Sequence, residues 1–270
     1  MGRIALLLMI AGAPLAADAE FSGLTNDKIA RRAEQEFQCG VELRGARDKA
    51  IPHFKITLDC YEELRRRGAR NPDLYRDLGN ASLLADDLPR AVLSYRRGLR
   101  QAPTDPDLQA GLTEARARVV YAGAGRFGRP PNDYRPPWLP RLRLEELFAG
   151  AAAFYVAGCL CAMRWLMMRR GWALISGIIA LLAAATLTTL MIAALRTEHE
   201  EREHPLVVLA EDGVQLRKGD GLAYPPRYES PLNKGVEARR LYERGDWSQI
   251  ELSGGEVGWL RRDWLLGDEP

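Results

Sequence analysis

The sequence predicts a multi-domain membrane protein: all-α helical hairpins, then a two-helix transmembrane hairpin, then a small all-β barrel. Three observations predict this. Apolar residues recur at helical spacing between residues 24 and 121. Two long apolar runs, separated by a few basic residues, follow at 147–168 and 172–195. Short alternating runs with glycine turns fill 205–268. The 270 residues suffice for two small domains and their connections. The net charge is +2, from plentiful but balanced acids and bases, which argues against a nucleic-acid footprint and singles out no other partner.

At the N-terminus Arg3 precedes the apolar run Ile4 to Ile10, which continues to Ala17 and ends in Ala17-Asp18-Ala19. A basic start, a short apolar stretch and a small-x-small site, in that order, read as a signal peptide over 1–19. The run falls short of the roughly 20 residues that a spanning helix needs. An uncleaved anchor or a buried helix is the competing reading.

The helical domain covers 24–121. Ile29, Ala33, Phe37 and Val41 recur every four residues and predict a first helix over 25–45. A second spans 46–67, with Pro52 tolerated only in its first turns and Gly68 as its C-cap. A third opens at Asn71-Pro72, a fourth at Leu88-Pro89, and Gln101-Ala102-Pro103 closes the fourth. Asp105-Pro106 caps a last helix over 106–120. Small Gly79 and Ala91 allow two helices to cross closely, with Tyr75, Leu78 and Tyr95 filling the space around them. This spacing resembles a tetratricopeptide repeat. Tyr75, Leu78, Gly79, Ala91, Tyr95 and Pro103 take its signature positions, while Ser82 and Gly98 depart from it. Tyr61 lies one 34-residue repeat before Tyr95, so the preceding helix pair reads as a degenerate repeat. The resemblance implies a shallow groove for a peptide or protein segment. Arg76 and Asn80 are its candidate partner-binding residues, both taken as surface positions whose replacement leaves the fold intact. An ordinary solvated face with a turn-stabilising asparagine is the alternative, and the weightier one.

Residues 122–143 form a linker rich in Pro, Gly and Arg. Beyond it, Leu147–Met163 is apolar, Arg164 precedes Trp165–Met168, Arg169-Arg170-Gly171 interrupts, and Trp172–Leu195 carries no charge. Each run can cross a hydrocarbon core of about 30 Å. The arginines at the tip, against mixed flanks, orient it to the cytoplasm. The signal peptide independently places residue 20 outside. The expected location is therefore the bacterial cytoplasmic membrane, two spans, with both flanking domains extracytoplasmic. Cys159 and Cys161 are packing residues in the first span. Cys39 and Cys60 lie where a disulfide is permitted, and whether they pair stays open.

Beyond a charged neck at 198–203, five strands are expected: Leu206–Leu209, Val214–Gly221, Val236–Tyr242, Trp247–Leu252 and Val257–Leu260. Val214-x-Leu216-Arg217-x-Gly219-x-Gly221, Gly245-Asp246-Trp247 and Gly258-Trp259-Leu260 resemble the bacterial SH3 family over 205–268. That resemblance implies a non-catalytic barrel that binds peptides or cell-wall components. Trp247 and Trp259 are its candidate ligand-binding residues, and a core position is the alternative, weightier for Trp259.

No enzyme is expected. His53, His199 and His204 lack a nucleophile in a recognised motif. The sequence has no phosphate-binding glycine loop and no metal-spaced cluster, so no metal or cofactor is expected. The order of signal peptide, repeat, two spans and SH3-like tail resembles the tetratricopeptide protein of the Bat aerotolerance operons. Such a protein implies partners among membrane or envelope proteins, namely von Willebrand A-domain proteins linked to a MoxR-type AAA ATPase. The expected function is a non-enzymatic membrane-anchored scaffold. The alternative is a peptidoglycan- or peptide-binding protein acting through its SH3-like domain.

Overall fold

The computed structural model describes residues 21–122 and 144–267, apart from the side chains of residues 144, 197, 198 and 201. The signal peptide expected at 1–19, and all but the first residue of the linker expected at 122–143, lie outside these residues. The chain divides after Val120 into two compact units.

The first unit is helical: α1 (Asn26–Glu42), α2 (Arg47–Arg66), α3 (Pro72–Leu84), α4 (Leu88–Gln101) and α5 (Pro106–Ala117). Local chemistry sets each boundary. Asn71, Asp87 and Asp105 cap α3, α4 and α5 by accepting backbone N–H groups of the first turn, and a proline stands first or second in each helix. α2 ends in a Schellman turn: Gly68 has a φ of 94°, and Ala69 N–H donates to Leu64 O at 3.0 Å. Pro52 sits in the second turn of α2, where one intrahelical donor is lost. The helices form two hairpins, α1–α2 and α3–α4, and α5 packs on both α3 and α4. Ile29, Ala33, Phe54 and Leu58 fill the first hairpin, and Leu78, Ala91 and Tyr95 fill the second; all are buried. His53 Nδ1 meets Glu36 Oε2 at 2.7 Å across α1 and α2. The Arg67 guanidinium donates to Leu24 O and Phe21 O at 2.6 and 2.9 Å, tying the entering chain to the end of α2. Cys39 is exposed, Cys60 is buried, and both are free thiols.

The second unit opens with α6 (Leu144–Met168) and α7 (Gly171–Glu203), packed as a hairpin. Within them, Glu145–Met168 and Gly171–Arg196 are long and apolar enough to cross a membrane. Gly158 and Gly177 sit at the close approach, where a Cβ on Gly158 would lie 2.8 Å from Leu181 Cδ2. Thr186, Thr188 and Thr189 donate their hydroxyls to carbonyls four residues back, which satisfies them without water. α7 does not stop at residue 195. The expected neck continues the helix to Glu203, built from good helix formers and a His199–Glu203 contact one turn apart.

A five-stranded antiparallel sheet follows: β1 (Leu206–Leu209), β2 (Glu237–Arg244), β3 (Trp247–Leu252), β4 (Val257–Arg261) and β5 (Leu265–Gly267), in the order β4-β3-β2-β1-β5. The expected barrel is not closed, because β4 and β5 occupy opposite edges. Val214–Gly221, expected as a strand, forms isolated bridges only. The chain doubles back there, with Arg227 N–H bonded to Leu216 O, and Pro225 and Pro226 supply no donors for a ladder. Its apolar alternation still serves the core: Val214 and Leu216 are buried with Val208, Ile250, Leu252 and Leu260. Arg217 and Trp259 exchange backbone hydrogen bonds at 3.0 and 2.9 Å, covering part of the exposed edge of β4.

Candidate functional site

Two surfaces hold the residues that the sequence singles out. The first lies on α3 and α5. Tyr95, on α4, is fully buried, and its ring is hemmed in by two glycines. A Cβ on Gly79 would lie 2.5 Å from its Cε1, and one on Gly111 would strike the same ring atoms. Gly111 is the partner that the sequence reading missed, because it falls outside the repeat signature. Gly98 plays a related part: a Cβ there would lie 2.7 Å from Leu108 and 3.2 Å from Tyr75. The signature residues are thus packing residues. Tyr75, Leu78 and Ala91 are buried, and half-buried Pro103 accepts a hydrogen bond from Gln109 Nε2 at 2.8 Å.

Asn80 is not simply a surface residue. Its Oδ1 accepts the Tyr95 hydroxyl at 2.7 Å, so it satisfies a polar group in the core. Arg76 has three carboxylates around it: Asp73 at 2.9 Å, Asp77 at 3.7 Å and Asp107 of α5 at 3.9 Å. Burial raises the Asp77 carboxyl above its ordinary value; Arg76 opposes this, while Asp73 and Glu34 add to it. The Tyr61 and Tyr95 hydroxyls are also pushed up, first by burial, and Asp77 contributes to both. The two tyrosines one repeat apart therefore share one acidic neighbour on α3. Around Arg76 itself, three carboxylates, of Asp73, Asp77 and Asp107, face one guanidinium.

The second surface is the outward face of the sheet. Burial alternates along β3 and β4: Ile250, Leu252 and Leu260 point inward, while Trp247, Gln249 and Trp259 are half-exposed. Trp259 is therefore not a core residue, contrary to the weightier expectation, because its register places it opposite Gln249 on the outer face. Trp247 lies two register steps away on the same face, opposite Arg261. Tyr242 of β2 packs edge-on against Trp259, with centroids 6.3 Å apart, and Arg261 lies 5.7 Å over Trp264. Tyr242 was legible only as a strand residue, since which face it takes depends on the bulge between Arg240 and Tyr242. An open cleft of about 270 Å³ lies at the other end of β2 and β3, lined by Glu237, Arg239 and Glu251. Among the described residues no group of His, Cys, Asp and Glu is placed to hold a metal ion.

No family model and no solved structure matches the chain. A stretch of 105 residues, 37% of the chain, is 31% identical to human Tetratricopeptide repeat protein 4 and spans 27% of that protein. Its bovine counterpart is 30% identical over the same length and share. A stretch of 62 residues, 23% of the chain, is 42% identical to a Bacillus subtilis (strain 168) protein described as "Putative N-acetylmuramoyl-L-alanine amidase YrvJ", of which it spans 11%. The chain is thus similar in part to tetratricopeptide repeat proteins and in part to an amidase, and these similarities do not support the Bat-operon assignment.

Proposed function

We propose that this chain is a non-catalytic, membrane-anchored adaptor whose helical unit docks a protein segment and whose sheet supplies a second contact. The observation that carries the reading is the helical unit itself: two helical hairpins and a final helix, assembled around Tyr95 as in a repeat array, with partial similarity to tetratricopeptide repeat proteins. The acidic surroundings of Arg76 favour a partner segment bearing Lys or Arg over one bearing carboxylates, so its binding weakens as salt rises. Membrane anchoring rests on the two apolar helices. The orientation, with both units outside the cytoplasmic membrane, rests on the arginines at the hairpin tip.

The test is co-purification from detergent-solubilised membranes with three proteins: the full chain, a chain lacking 205–270, and a chain with Asp73→Asn and Asp107→Asn. Both altered chains are expected to lose partners, each by its own increment, because two tethered contacts reinforce each other. Von Willebrand A-domain proteins and their associated ATPase, the partners that the Bat resemblance implies, are the first to be sought in the eluate. Retention of every partner by both altered chains overturns the adaptor reading.

A second reading has its own support in the partial similarity to an amidase and in the half-exposed aromatics of the sheet. In it the sheet contacts peptidoglycan. Sedimentation of the full chain with purified peptidoglycan, lost on removal of 205–270, supports this reading; equal sedimentation with and without those residues overturns it.

A further inference from the structure

The tip of the α6–α7 hairpin carries three arginines that the adaptor reading uses only to orient the spans. Arg164, Arg169 and Arg170 are all exposed. Elsewhere several guanidinium groups find carboxylates: Arg65, Arg67, Arg76 and Arg118 each pair with an acid. At the tip no such partner lies among the described residues. The sequence has no Asp or Glu between Glu146 and Glu198. Glu146 lies at the start of α6, about 30 Å along the helix from the tip at 1.5 Å per residue. Arg164 lies 5.7 Å over the Trp172 ring, a contact that holds the guanidinium beside the loop without neutralising it. Its neighbours on the outside of the hairpin are apolar and exposed, among them Met163, Met167, Trp172 and Ile175. Three uncompensated cations, two tryptophans and a rim of exposed apolar side chains occupy one end of two membrane-long helices.

We propose that this tip is a binding site for anionic phospholipid headgroups, whose phosphates supply the counter-charges that the described residues do not bring there. Guanidinium groups bind phosphate oxygens through several parallel N–H bonds, and tryptophans settle at the headgroup level. Acyl chains cover the apolar rim, which favours a lipid phosphate over a soluble one. The proposal rests on the reading of α6 and α7 as membrane spans.

The experiment uses the full chain reconstituted into phosphatidylcholine bilayers, with spin-labelled phosphatidylglycerol or spin-labelled phosphatidylcholine as the probe. The quantity read is the relative association of the two probes with the protein. The expected preference for phosphatidylglycerol at low salt is about fivefold or more, the factor that one engaged surface cation provides. It falls as salt rises. In the R164Q/R169Q/R170Q variant it drops to near parity, and in the corresponding triple-lysine variant it persists in part, because charge remains while the planar fork is lost. An equal association of both probes with the unaltered chain overturns the proposal. So does an unchanged preference in the triple-glutamine variant, which would place the anionic-lipid contacts elsewhere on the protein. Flotation separates this failure from that of the membrane reading: a chain that does not float with neutral liposomes overturns both, whereas one that floats without headgroup preference overturns only the lipid site.

Discussion

Replacing Gly79 by alanine adds a single carbon, and two opposing effects follow. In a helix interior alanine is better than glycine by about 1 kcal/mol, so on propensity alone the change stabilises α3. The added Cβ, however, would lie 2.5, 2.6 and 2.7 Å from three atoms of the Tyr95 ring, where carbon contacts are normally about 3.5–4.0 Å. The ring has little room to retreat, since Gly111 of α5 approaches the same atoms and the hydroxyl is held by Asn80. Overpacking of this kind costs about 1–3 kcal/mol, and the trapped ring argues for the upper end. The expected net effect is a loss of about 2 kcal/mol, a substantial part of the 5–15 kcal/mol that holds an ordinary domain together. At about 4–8 °C per kcal/mol for a unit of this size, the melting temperature falls by about 8–16 °C. The assay is circular dichroism of the segment 21–122 during thermal and urea unfolding, with and without Tyr95→Ala, all in the same concentration of trimethylamine N-oxide so that the weaker variants fold. With the ring removed, Gly79→Ala becomes neutral or stabilising. A Gly79→Ala protein as stable as the parent, or the same loss in both backgrounds, refutes the reasoning.

Asn80→Ala leaves the Tyr95 hydroxyl without its acceptor and costs about 1–3 kcal/mol, whereas Asn80→Ala with Tyr95→Phe costs less than Asn80→Ala alone; urea unfolding of the four proteins checks this, and additive losses sink it. Asp77 has its carboxyl raised by burial, so the folded state holds the proton more tightly than the unfolded chain does. Its contribution to stability is greatest at low pH and is lost as pH rises from the ordinary carboxylate range near about 3.9 through the raised value. Asp77→Asn is therefore expected to stabilise the helical unit at pH 7 and to flatten that part of its stability–pH curve, and a destabilised variant with an unchanged curve contradicts it. On the sheet, Trp259→Ala is expected to abolish contact-dependent quenching of the remaining tryptophans by any bound peptide or wall fragment while Leu260→Ala unfolds the unit. Equal far-ultraviolet spectra and equal melting for the two variants contradict the assignment of Trp259 to the outer face and Leu260 to the core. For orientation, a cysteine introduced at Asp105 in a Cys39→Ser background is expected to react with an impermeant thiol reagent in intact spheroplasts; reaction only after lysis contradicts the topology.

The helices were legible in the sequence because the signals that make them are local. Asn71, Asp105 and Gly68 cap helices through bonds that span only a few residues, and the four-residue recurrence from Ile29 to Val41 needs nothing from the rest of the chain. The same holds for the two apolar runs, whose length and composition alone make them candidates to cross a membrane. What tertiary structure alone decided is which groups meet across the chain. Gly111 lies 32 residues beyond Gly79 and carries no signature, yet it closes on the same ring. Asn80 reads as a groove residue until Tyr95 is seen to donate to it. Val214–Gly221 alternates like a strand, but alternation reports burial on one face, not a ladder partner; the chain's return at Pro225 and Pro226 takes that partner away, and Leu265–Gly267 fills the edge of the sheet instead. Trp259 lies outward because its pairing with Gln249 puts it on the outer face, and which face of that hairpin is buried is decided by what packs beneath it, Val208 and Leu216 among others. Local backbone chemistry is written residue by residue, whereas register, helix crossings and the neighbours of a buried hydroxyl exist only once distant segments are brought together.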